Sequence, residues 1–334
     1  MEIYICLSII LLFCASLGCK NLLLYLLIYA GLFYIGAFRD YTVGADTLSY
    51  YNIFNYAVDN PNVQYMLTLS EPSWALLNLF VATCQYEYRT ILYIGVFLSI
   101  TPVFIRVWKS CDRPFEAILF YVLLYFYFNC FNGTRQMIAI SFVFYAYEYI
   151  LSNHLKKYYW FVVLAATFHY TALVGLFVPV LNKLPLSKYV VLLILPLSYF
   201  AGIYVVPHLM SLLTVFGKFG LYAVSEGASG SASRLLLNIF FVLLLFSSNK
   251  KDFYLKCFFI GILIYNLFCS NPAVGRMALY FTICQLFIYS NFVSVYKSNI
   301  IFMKVAMIIY GFTLYLTLLN ANSGGVVPYE LGTF

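Results

Sequence analysis

Apolar residues fill this chain in unbroken runs, not along one face of a helix or strand. Leu22–Phe38 and Ile300–Leu319 carry Leu, Ile, Phe, Tyr and Gly with almost nothing polar between them. Runs of similar length recur near 2–18, 90–106, 115–130, 134–151, 188–207, 234–248, 253–269 and 276–292. A helix apolar all round belongs in a protein core or in lipid, and about 20 such residues cross a bilayer. The ten runs therefore predict ten membrane-spanning α-helices. Outer-membrane strands would alternate apolar and polar over about ten residues, and these runs do not. Met1–Leu17 resembles a signal sequence, but Glu2 stands where a basic segment is expected, so it reads as a retained first helix.

Two apolar segments break the pattern. Pro72–Cys84 is short for a crossing, and Tyr158–Leu181 carries His169 in its middle. If both are re-entrant, Lys20, Arg106, Lys109, Arg113, Lys156, Lys157, Lys183, Lys188, Lys250, Lys251, Lys256, Lys297 and Lys304 all fall in the cytoplasm, as the positive-inside rule asks. Twelve full crossings would instead leave Arg106, Lys109 and Arg113 outside. The expectation is an all-α polytopic membrane protein with about ten full spans and two re-entrant segments. It forms a single integral domain over 1–334, with outer segments at 39–72, 208–233 and 320–334.

Composition agrees: 64% of the residues are hydrophobic and 9% charged, where a soluble domain carries roughly 25% charged. The net charge of +7 is spread too thinly for nucleic acid and suits basic cytoplasmic loops. Nine cysteines show no CxxC or Cys/His spacing, so neither a disulfide framework nor a metal site is expected. The outer and embedded set of basic residues is Arg39, Arg89, Arg135, Arg234 and Arg276 with one lysine, Lys218. Arginine's planar fork suits phosphate and carboxylate, so that bias points to a bound anion. Asp40, Asp46, Asp59 and Glu71 outweigh Arg39 in the 39–72 segment.

Four polar sites interrupt the apolar runs: Arg135 with Gln136 in "FNGTRQ", His169 in "ATFHYTALVG", Arg276 in "SNPAVGRM" and Glu71 in "LSEPSW". Each has an ordinary explanation, such as snorkelling, a core hydrogen bond or a helix-terminal charge. Together with the Arg39–Asp46 cluster in "GAFRDYTVGADTLSYY" they suggest one polar chamber near the outer face. No nucleotide-binding loop, HExxH, GxSxG or dinucleotide turn is present. Transfer chemistry here would need a donor already activated, such as a lipid-linked phosphate.

In order, Arg39, Gly44–Asp46, Tyr50, Glu71–Pro72, Arg135–Gln136–Ala139, Phe168–His169–Ala172, Arg276 and Pro328–Tyr329 resemble the EpsG family of Wzy-type polymerases of O-antigen, capsule and exopolysaccharide. Ala45 departs from the Ser or Thr common there. The resemblance implies a GT-C-like helical architecture in a bacterial inner membrane, working at the periplasmic face without metal or cofactor. A growing glycan would pass from undecaprenyl diphosphate to a new lipid-linked repeat unit, with a flippase and a chain-length regulator as pathway partners. Arg39, Arg135 and Arg276 would bind diphosphate, with Gln136, Tyr50 and Tyr329 in the substrate site. Asp46, Glu71 or His169 would deprotonate the acceptor. The rivals are a lipid-linked oligosaccharide flippase or transporter, an O-antigen ligase-like transferase and a membrane O-acyltransferase.

Overall fold

The computed structural model describes residues 1–209, 231–247, 253–291 and 300–332. These are all-helical apart from one isolated antiparallel bridge, Arg39 to Leu331. In chain order the helices are α1 (Glu2–Ser16), α2 (Leu22–Ala37), α3 (Thr47–Asp59), α4 (Val63–Leu69), α5 (Pro72–Thr83), α6 (Arg89–Ser110), α7 (Pro114–Leu123), α8 (Phe126–Asn132), α9 (Thr134–Leu151) and α10 (Leu155–Phe168). A 3-10 segment, Tyr170–Phe177, leads to α11 (Val178–Lys183) and α12 (Lys188–Tyr204). Helices at Ser231–Ser247 and Phe253–Leu267 follow, then short consecutive helical segments from Pro272 to Ser290, then Ile300–Asn320. The chain divides into two compact units, one centred on Met1–Leu176 with the C-terminal helix and tail, the other on Phe177–Ile288.

The surface is inverted relative to a soluble protein. Leu23, Trp160 and Tyr189 are 71%, 74% and 86% exposed, while Tyr4, Tyr121, Tyr127 and Tyr147 are wholly buried. Large apolar side chains turned outward on several helices are stable only against lipid. This is a membrane protein. By length and composition, Arg89–Ser110 and Ala273–Ser290 can cross a membrane alone, and α7 with α8 makes a third if counted as one span. The other apolar helices, such as α1, α2 and α12, are shorter. Asn21 accepts from the Leu24 N–H at 3.0 Å and starts α2.

Two of the ten expected runs are broken, and one of the two odd segments bends where a re-entrant hairpin is expected to. The 115–130 run bends by 50° between α7 and α8, where Tyr125 adopts a left-handed φ of 69°, uncommon for a bulky residue. Its hydroxyl donates to the Ser323 carbonyl at 2.8 Å, so the tail holds the bend. Up to Ser290, the 276–292 run lies in the apolar helical stretch Ala273–Ser290, which tightens to 3-10 geometry at Arg276–Ala278 and turns briefly before Gln285–Ser290. Tyr158–Leu181 breaks at His169, whose backbone is extended. Conversely, 39–72 contains two helices. Along α3, Tyr50, Phe54 and Ala57 are buried at the i, i+4, i+7 spacing of one helical face. Most of the 208–233 segment lies outside the described residues.

In the second unit, Asn266 ties three helices together through Ser198 Oγ at 2.9 Å and the Asn238 amide at 2.8 Å. Gly202 lets α12 approach that helix closely, for a Cβ there would lie 1.8 Å from the Asn266 carbonyl oxygen. Amide bridges and small residues of this kind join helices where lipid offers no hydrophobic driving force.

Candidate functional site

The polar centre of the first unit is built from three helix ends. Glu71 is the extended residue that precedes α5, with Pro72 fixing the first turn. Arg135 stands second in α9, after Gly133 has closed α8. His169 closes α10. At such ends the backbone leaves the helix and polar side chains can converge.

Glu71 is 6% exposed and both its oxygens are engaged. Oε1 accepts from His169 Nδ1 at 2.7 Å, and Oε2 pairs with Arg135 Nη1. An isolated buried carboxylate would cost several kcal/mol, so the two partners are what keep it charged here. Burial raises its pKa, but the His169 hydrogen bond and the Arg135 charge outweigh burial and hold it below the ordinary carboxylate value. Two residues inward on each side, Ser73 Oγ donates to Thr167 Oγ1 at 2.7 Å and locks α5 to the end of α10.

With Nδ1–H given to Glu71, the neutral imidazole leaves Nε2 as its acceptor. The His169 side chain is 26% exposed and that of Arg135 24%, so both reach solvent or a ligand. Arg135 lies over the Tyr50 ring, 5.5 Å from its centroid, and Tyr50 packs on Trp74 at 5.2 Å. Phe54, Tyr88, Ile138 and Phe168 complete this apolar floor. Arg135 Nε is buried without a hydrogen-bond partner.

The other sequence candidates fall in different places. Asp46 is half-buried before α3, and its backbone N–H donates to Asn132 Oδ1 at 3.2 Å. Gln136 is buried beside Arg135. Arg39 is 1% exposed. Its Nε donates to the Val43 carbonyl at 3.2 Å and its Nη1 to that of Gly36, with the guanidinium 4.7 Å from the Phe131 ring centroid. Tyr329 donates to the Ile35 carbonyl at 3.1 Å, and burial, with Tyr34 beside it, pushes its hydroxyl up to about 12. Arg276 lies exposed in the second unit, in the 3-10 turn Arg276–Ala278.

The C-terminal tail closes over the 38–45 loop. Asp40 N–H donates to the Glu330 carbonyl at 2.9 Å, Gly44 N–H to Gly325 at 2.7 Å and Ala45 N–H to Gly324 at 2.8 Å. Gly332 N–H returns a bond to Phe38 at 3.0 Å. Gly44 has φ +103°, and a Cβ there would lie 2.5 Å from the Phe131 carbonyl oxygen. Sequence reasoning missed the Ser73–Thr167 tie and the tail's role. A signal for the first was present: each residue stands two positions from its site partner, toward the helix interior in both cases.

One family matches the chain over residues 3–331. The chain belongs to the EpsG family. Membership suggests a polysaccharide-polymerase-like function. Neither a curated protein nor a solved structure matches this EpsG-family chain.

Proposed function

We propose that this EpsG-family protein is a polysaccharide polymerase. It transfers a growing glycan from undecaprenyl diphosphate to the terminal sugar of a new lipid-linked repeat unit, at the periplasmic face of a bacterial inner membrane. The observation that carries this reading is the Glu71–His169 pair beside Arg135. His169 Nε2 takes the acceptor hydroxyl proton as the oxygen attacks the anomeric carbon. The bond from that carbon to the diphosphate oxygen breaks, and its electron pair leaves on the lipid diphosphate. Glu71 fixes the imidazole tautomer and stabilises the imidazolium that forms.

Arg135 holds Glu71 through Nη1 and offers its remaining donors to the departing diphosphate. Among the three contenders for base, His169 is favoured because its free nitrogen accepts a proton while Glu71 is committed to two partners. Arg39, turned onto backbone carbonyls, positions the loop that carries Asp46. A flippase would also use buried charge, but a carboxylate-oriented imidazole beside an arginine fits proton transfer better than passage.

The test is complementation of a deletion strain, read as glycan length on a gel at matched protein level. His169→Ala is expected to cut polymerisation by about 10²-fold or more, leaving single repeat units on the cell surface. Full-length polymer from both His169→Ala and Arg135→Ala sinks the assignment. Loss of even single units on deletion points to the flippase or ligase instead.

A further inference from the structure

The second unit holds a buried cation that no side chain or carbonyl among the described residues hydrogen-bonds. Arg234, in the first turn of the Ser231–Ser247 helix, is 9% exposed. Its Nε, Nη1 and Nη2 are all buried without a hydrogen-bond partner. Its one contact of note is the Tyr199 ring, 5.2 Å from the guanidinium to the centroid. A cation–π contact offsets part of a buried charge but leaves every N–H donor unmade. A guanidinium in that state calls for an anion with several acceptor oxygens.

A groove of about 510 Å³ begins at the same ring. It runs between α12 and the Ser231–Ser247 helix, past Tyr199, Leu235, Asn238, Ile239 and Leu243. Among the described residues, no charged side chain lines it. Ile239 and Leu243 are 50% and 47% exposed, so its outer side is open. Arg234 stands at the N-terminal end of that helix, where the helix dipole also favours an anion. The arrangement is an anion-seeking head beside an apolar slot along one helix flank.

We propose that this is a lateral site for an anionic phospholipid of the phosphatidylglycerol type, its phosphodiester on Arg234 and one acyl chain in the groove. Charge complementarity selects this occupant over a polyprenyl diphosphate. A phosphodiester carries one negative charge, matching one arginine, whereas a diphosphate linkage carries two and the groove lining adds no second cation. The site is independent of the glycan chemistry proposed above, and its test needs no turnover.

The full chain, purified in neutral detergent, is titrated with phosphatidylglycerol, phosphatidylcholine or undecaprenyl diphosphate, and bound lipid is counted by native mass spectrometry. Phosphatidylglycerol is expected to bind tightest. Arg234→Met should weaken it about tenfold, the scale of a lost charge-assisted contact. Ile239→Trp should weaken it comparably by filling the slot while leaving the arginine in place. Arg234→Met should also be at least as heat-stable as the parent without added lipid, because it removes an unpaired buried charge. Unchanged phosphatidylglycerol binding in both variants overturns the site. Tighter, Arg234-dependent binding of undecaprenyl diphosphate overturns the phospholipid assignment.

Discussion

Glu71 is where three helix ends meet, and its charge state decides whether they stay together. Its folded pKa lies below the ordinary 4.5, so it is ionised at neutral pH. Stability from a lowered carboxylate is complete above the unfolded value and is lost as pH falls through the folded one. Glu71→Gln is therefore expected to lower Tm at pH 7, at a cost of about 1–3 kcal/mol for a broken charge-assisted network. The gap to the parent should close as pH drops below 4.5. A melting series from pH 7 to about pH 3 checks this, and a constant gap would refute the electrostatic account. The sequence showed Glu71, Arg135 and His169 as out of place in apolar surroundings. It did not show that they touch, because their pairings span 64 and 98 residues.

At the scale of elements, the site depends on helices stopping where they do. α5 begins at Pro72, α10 breaks at His169, and α8 ends at Gly133 so that α9 can start with Arg135 second. Gly44 has a comparable role in the loop, with a left-handed φ and the Phe131 carbonyl against it. Gly44→Ala is expected to destabilise by about 2 kcal/mol from strain and overlap, whereas Gly31→Ala, with open space around it, should be neutral. Thermal melts of both variants measure the contrast, and equal behaviour would remove the packing argument. Helix α3 was legible in principle, since Tyr50, Phe54 and Ala57 keep helical spacing. The polar residues between them hide that stripe in a hydropathy scan. The Tyr125 bend was not legible, because only the tail's Ser323 carbonyl explains it.

Over the whole molecule, the C-terminal tail acts as a strap. Beyond its bonds to the 38–45 loop, Val326 accepts from the Tyr4 hydroxyl at 2.9 Å and Gly332 from Arg89 Nη2 at 2.9 Å. Truncation after Asn322 leaves every helix intact, yet it is expected to abolish polymer formation and increase protease sensitivity of the 38–46 loop. Full activity of the truncated protein would show that the strap is dispensable. The sequence by itself determined the membrane class, the helical secondary structure and the family, because hydrophobic runs and ordered short motifs are local and survive without coordinates. Only the tertiary structure decided which polar residues share a site. It joined Glu71 to Arg135 and His169, turned Arg39 onto backbone carbonyls and left the Arg234 guanidinium buried against Tyr199 without a hydrogen bond among the described residues. Burial and hydrogen-bond pairing between residues distant in sequence are properties of the packed chain, and no local pattern encodes them.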